Sequence, residues 1–195
     1  MSHHLTGRGI DHVVLDRGEG AQSWRTERWD SLRLLTPNWM TRLPGYRYQG
    51  GDPDGFMTKD ETVAFLGTYG AHIGAPVHTH VTVERVRVKN PGFEVVTDPG
   101  IWTCDAVVAA TGASSEPRIP AIAADLPNRI EQLTALQYRN PTQVGDGEVL
   151  VVGASASGAQ IADELQRAGR QVTVAVGEHV RLPRLHRGRD IHWWM

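Results

Sequence analysis

Between Glu148 and Val176 the spacing of apolar positions changes twice. Glu148 to Gly153 is a short apolar run of the kind that forms a buried strand. Ser157 to Arg170 then places Ile161, Leu165 and Ala168 on one helical stripe, and Gln171 to Val176 is apolar again. Strand, helix and strand within about thirty residues predict a βαβ unit, which requires parallel strands and a right-handed crossover.

Shorter signals precede it. Residues 2–9 have the pattern of a helix tail closed by Gly7 and Gly9, and His12 to Leu15 that of a short buried strand ended by Asp16-Arg17-Gly18. Residues 23–48, rich in Trp, Arg and Pro, predict an irregular, ligand-facing segment with short helical turns. From 58 to 70 a helix is expected: Thr58 and Glu61 form a capping box, and Val63, Leu66 and Tyr69 share a face. Val81–Val88 and Phe93–Thr97 alternate and, with the stretch around Trp102, predict a small antiparallel set. Asp105 to Thr111 is expected to be a buried strand running into a turn at Gly112. Pro117–Pro120 and Tyr138–Gly147 have linker character. The expected fold class is α/β, with two Rossmann-like three-layer folds on parallel sheets, both incomplete, divided as 1–117 and 118–195.

Composition narrows the chemistry. The net charge of −2 gives no attraction for nucleic acid or an anionic membrane, and no stretch approaches the roughly 18 apolar residues of a membrane span. Cys104 is the only cysteine, so a disulfide framework and a thiolate zinc site are excluded within this chain. A reducing compartment, the cytoplasm, is the expected location. Cys104 itself has the setting of a small core residue. His78 and His80 put two imidazoles on one strand face without a third ligand, so no metal site is expected. Gly153-Ala154-Ser155-Ala156-Ser157 lacks the glycine at 157 that a nucleophile elbow needs.

The turn between the last strand and helix carries the chemistry. Gly153, Ser155 and Gly158 fit G-x-G-x-x-G with serine in the second glycine position. Gly153 permits a sharp exit from the strand. A small residue at 155 lets the backbone approach a pyrophosphate, Ser157 stands beside it, and Gly158 and Ala162 let helix and sheet pack closely. Free amides at the helix start then face the phosphates. The alternative is a tight turn that binds nothing. Glu178 lies where a ribose-binding acid belongs. Arg181, Arg184, Arg187 and Arg189 favour the 2′-phosphate of NADPH over NADH, unless they form a solvated basic loop.

Several segments, in order, resemble the flavin-containing monooxygenases and their bacterial relatives. They are His12–Gly18, Ser23-Trp24-Arg25, Arg28–Leu32, Leu35-Thr36-Pro37-Asn38, Asp52–Met57, Ala110-Thr111-Gly112, Tyr138–Pro141 and the glycine motif. The resemblance implies FAD in one dinucleotide fold, within 1–117, and NADPH in a second, within 118–195. It implies an NADPH-dependent flavoprotein oxidoreductase, chiefly a monooxygenase that oxygenates a small organic substrate with molecular oxygen through a flavin C4a-hydroperoxide. By position, Asp16, followed by Arg17, resembles the acid on the FAD ribose, a turn residue being the alternative. Trp24 and Arg25 resemble residues along the flavin, and Asn38 an amide near its reactive carbon. Val81 resembles a backbone contact to adenine. Thr111 and Gly112 resemble the turn that passes close to the cofactor. A first glycine motif is expected about twenty residues before Asp16, and Met1 falls short of it, so an internal piece that binds flavin weakly or not at all is expected. The alternatives are a non-catalytic nucleotide-binding fragment and a plain NAD(P)H:flavin reductase. A disulfide reductase is disfavoured, because no C-x-x-C is present.

Overall fold

The computed structural model describes residues 1–195 except Ala113, His179 and Arg181. In chain order the elements are α1 (Ser2–Thr6), β1 (Val14–Leu15), α2 (Gln22–Thr26), β2 (Arg42–Leu43), β3 (Tyr46–Arg47), α3 (Lys59–His72), β4 (Val77–His78), β5 (Val83–Val88), β6 (Phe93–Thr97), β7 (Gly100–Cys104), β8 (Val149–Val152), α4 (Ala156–Arg167), β9 (Val172–Ala175), β10 (Leu185–His186) and β11 (Arg189–Asp190). Single 3-10 turns occupy Asn38–Met40, Ala121–Asp125, Pro141–Gln143 and Ile191–Trp193. The fold class is α/β, with both parallel and antiparallel pairs.

Packing divides the chain into two units, 1–23 with 63–115 and 24–62 with 116–195. Residues 24–62 thus pack with the later half of the chain.

In the first unit β1 runs parallel to β4, pairing Val14 with Val77 and Leu15 with His78. β5, β6 and β7 form the expected antiparallel meander. Val95 and Thr97 of β6 are buried. The Thr97 hydroxyl donates to the Gly100 carbonyl at 2.7 Å and closes the β6–β7 turn. Asp105 to Gly112 departs from expectation: it forms no strand and is exposed throughout. An apolar run becomes a central strand only where neighbours accept and donate along both edges, and no strand of the described residues pairs with it.

The capping box is present at the start of α3. The Thr58 amide donates to Glu61 Oε2 at 2.8 Å, and the Glu61 amide donates to Thr58 Oγ1 at 3.2 Å. These bonds hold the Glu61 carboxyl below its ordinary pKa. Val63 is buried and Leu66 and Tyr69 half-buried, as their shared face requires.

In the second unit β8 and β9 pair in parallel register from Val149–Val172 to Val152–Ala175, with α4 between them in sequence. Ile161, Ala162 and Leu165 are its buried face. Ala168, expected on that stripe, is exposed because the helix has ended at Arg167. The core joins Ile161 and Leu165 to Trp29, Leu32 and Tyr138, with Val144, Val149, Val151 and Val172 packed around them. Tyr138 to Gly147 is therefore no linker. Tyr138 is 3% exposed, and its hydroxyl donates to Glu164 Oε2 at 2.7 Å. Arg170 donates to the Val144, Gly145 and Gly147 carbonyls and fastens the end of that segment.

Two consequences are measurable. Leu165 is 1% exposed, so Leu165→Ala is expected to cost about 2–5 kcal/mol in denaturant unfolding. Burial, the bond to Glu164 and the nearby negative charge raise the Tyr138 pKa well above the usual tyrosine range. Its stabilising contribution is complete below the ordinary pKa of about 10 and is lost as pH rises toward the folded value. In an alkaline absorbance titration one of the four tyrosines should ionise late, and Tyr138→Phe should remove that late step.

Candidate functional site

The β8–α4 turn follows from three residue choices. The Gly153 amide completes the β8–β9 ladder by donating to the Ala175 carbonyl at 2.9 Å. Its φ of +101° then turns the chain in a region open chiefly to glycine. Gly158 meets this turn from the helix side. A β-carbon at 158 would overlap the Gly153 carbonyl oxygen, and it would stand 3.0 Å from the carbonyl carbon and 3.5 Å from Val151 Cγ1. Glycine at 158 is thus a packing requirement.

Ser155 is the N-cap of α4, and its side chain makes no cap hydrogen bond. The first bond of the helical ladder is from the Ala159 amide to the Ser155 carbonyl. The amides of Ala156, Ser157 and Gly158 precede that bond and point out of the helix end. Gly153 to Ala156 are exposed and Ser157 is half-buried. No atom lies within 4 Å of where a Gly153 side chain would be. Small residues, outward donors and the positive end of a twelve-residue helix fit a diphosphate.

Downstream, the expected basic cluster is partly committed. Arg181 lies outside the described residues. Arg184 pairs with Asp190 at 2.8 Å and stacks on the Phe56 ring at 4.2 Å. Burial opposes ionisation of Asp190, but bonds from the His192 amide and ring, together with Arg184, hold its pKa below the ordinary value. Arg189 lies 4.1 Å over Trp193 and Arg187 5.9 Å over Trp194. Arg187 and Arg189 are exposed.

In the first unit, the backbone of Asp16 is fixed on both sides. Its amide donates to the His78 carbonyl at 3.0 Å, and its carbonyl accepts from the Val81 amide at 2.9 Å. One carboxylate oxygen accepts from the Gly18 amide at 3.1 Å. A carboxylate has about four acceptor positions, so this turn bond leaves capacity for a ribose diol. The Val81 amide is used by Asp16, and only its carbonyl can serve an adenine. Arg17, Thr111 and Gly112 are exposed, and Gly112 has φ +79°.

Trp24, Arg25 and Asn38 belong to the second unit. Trp24 is half-buried with the Arg28 guanidinium 5.7 Å from its ring, and Arg25 is exposed. Asn38 is 4% exposed. Its amide nitrogen donates to the Asp52 carbonyl at 2.9 Å, while Oδ1 is buried without a partner among the described residues. No group of three metal-binding side chains occurs among the described residues, and no described helix is long and apolar enough to cross a membrane. Cys104 is half-buried. Gln160, which the sequence pattern did not single out, pairs with the Arg33 backbone.

Residues 1–186 match the pyridine nucleotide-disulphide oxidoreductase family. The uncharacterized oxidoreductase CzcO-like of Geobacillus kaustophilus is 40% identical over 196 residues, covering all of this chain and 56% of that protein. Indole-3-pyruvate monooxygenase YUCCA1 of Oryza sativa is 30% identical, covering 92% of this chain and 45% of the relative. A flavin-containing monooxygenase from Stenotrophomonas maltophilia superposes with a TM-score of 0.78 at 26% identity, over 91% of this chain and 54% of that one. The chain spans about half the length of the curated relatives it matches. The family match runs over most of the chain: it belongs to the pyridine nucleotide-disulphide oxidoreductase family of enzymes.

Proposed function

We propose that this chain takes part in FAD- and NADPH-dependent oxidation, chiefly monooxygenation of a small organic substrate by molecular oxygen. The observation that carries the reading is the glycine-shaped turn at 153–158, whose outward amides suit a dinucleotide diphosphate. FAD, when bound, supplies the two-electron and oxygen chemistry.

The chain's own residues bind and orient. Gly153, Ser155, Ser157 and Gly158 are assigned to the NADPH diphosphate, and Arg181, with Arg187 and Arg189 near it in sequence, to the 2′-phosphate. Asp16, beside Arg17, is assigned to the FAD ribose, the Val81 carbonyl to adenine, and Thr111 and Gly112 to a close backbone pass. On the resemblance, Trp24 and Arg25 line the flavin, and Asn38, held by Asp52, presents its amide near the reacting atoms. A dithiol mechanism is not available within this chain, because Cys104 has no second cysteine with which to exchange. The assigned division is FAD on 1–117 and NADPH on 118–195, working in the cytoplasm.

Thermal unfolding with nucleotide tests the reading. NADPH at about 100 times its Kd should stabilise the chain by about 2.7 kcal/mol, with a smaller effect from NADH at the same concentration. Gly158→Ala should abolish that stabilisation, since the new methyl pushes α4 off the Gly153 carbonyl. The flavin part is checked by NADPH-dependent bleaching of added FAD, and the oxygenase part by oxygen uptake that depends on a sulfide or amine. Bleaching without substrate oxygenation would leave a reductase and remove the monooxygenase.

A further inference from the structure

α4 touches a second feature through Gln160, two residues beyond Gly158. The Arg33 amide donates to Gln160 Oε1 at 3.1 Å, and Gln160 Nε2 donates to the Arg33 carbonyl at 2.9 Å. A side-chain amide that satisfies both backbone groups of one residue imitates a neighbouring strand.

The opposite edge of the same segment is already taken. Arg33 forms an antiparallel bridge with Thr58. Its bonds run from the Leu34 amide to the Met57 carbonyl at 2.8 Å and from the Lys59 amide to the Leu32 carbonyl at 3.0 Å. Farther along, the Asn38 amide donates to the Gly55 carbonyl at 2.8 Å, and the Trp39 amide to the Pro53 carbonyl at 2.9 Å. Residues 32–39 and 53–59 thus form a ribbon. Within it one edge of residues 32–39 is closed by residues 53–59, and at Arg33 the other is closed by a side chain of α4. The Arg33 guanidinium, donating to the Phe56 carbonyl at 3.0 Å, stiffens the ribbon at the same level.

We infer that Gln160 is a positioning residue: it fixes the diphosphate-binding turn at 153–158 against the ribbon that carries Asn38, so that nucleotide binding is felt along residues 32–38. The inference rests on the nucleotide-binding reading and extends it to a residue that need not touch the nucleotide. A second tie joins α4 to this region, from Tyr138 to Glu164 and from the Asp30 amide to the Arg139 carbonyl. That tie is buried at Tyr138 and serves as the internal control.

Amide hydrogen exchange with and without saturating NADPH separates the cases. In the unsubstituted chain, NADPH should slow exchange at residues 156–158 and, by at least about threefold, at residues 32–38. Gln160→Ala should keep the slowing at 156–158, with a Kd for NADPH within about threefold, and lose it at 32–38. Gln160→Glu retains an acceptor for the Arg33 amide but no donor for its carbonyl, and should transmit an intermediate effect. Tyr138→Phe should transmit as the unsubstituted chain does. Slowing at 32–38 that survives in Gln160→Ala, that is lost equally in Tyr138→Phe, or that never appears in the unsubstituted chain overturns the inference alone. No slowing at 156–158 in the unsubstituted chain overturns the nucleotide-binding reading and the inference with it.

Discussion

The contact between residue 158 and the Gly153 carbonyl sets the rest of the second unit. With no side chain at 158, the first turn of α4 can rest directly on the end of β8. The helical repeat then fixes everything downstream. Ile161, Ala162 and Leu165 land on the sheet side and are buried, while Gln160 and Glu164, four residues apart, reach Arg33 and Tyr138. The spacing that opens amides toward a diphosphate also aims two polar side chains at the segments packed around the helix. A larger residue at 158 would displace both sets together.

The core explains why residues 24–62 pack with the later half of the chain. Trp29 and Leu32 join Ile161, Leu165 and Tyr138 in one cluster. Around its rim Asp30 gathers three partners: Lys59 and Asn140 side chains at 2.9 Å each, and the Arg139 carbonyl through its own amide at 2.7 Å. The Asn140 and Lys59 bonds hold the Asp30 carboxyl below its ordinary range. Asp30 is well exposed, so these bonds orient the segments more than they stabilise them.

Local signals were legible in the sequence wherever a few neighbouring residues decide the outcome. The Thr58–Glu61 box, the β5–β7 meander and the β8–α4–β9 unit follow from period, cap and turn chemistry, and each formed with bounds within a few residues of expectation. What failed depended on distant partners. Val107 and Val108 have strand character but, among the described residues, no strand beside them, and are exposed. Tyr138 stands in a proline- and glycine-punctuated stretch that has the look of a linker, yet Glu164 and the Trp29 cluster bury it. Of the candidate site, the glycine turn was legible because steric rules act within six residues. The role of Gln160 was not, because its partner lies 127 residues away and is a backbone group that carries no residue-type signature.

The bridge between Arg33 and Thr58 ties the two ends of an excursion that contains the β2–β3 hairpin and the exposed stretch from Gly50 to Asp54. Once such a loop is pinned at its base, its length matters little: doubling it costs only about 0.6 kcal/mol in closure entropy. Gly51 has no atom within 4 Å of where a side chain would project. Beside Gly51, ahead of the Asp52 and Pro53 carbonyls that hold Asn38 and Trp39, the loop is therefore a place where evolution can insert residues without disturbing the helix that Gln160 holds at its root.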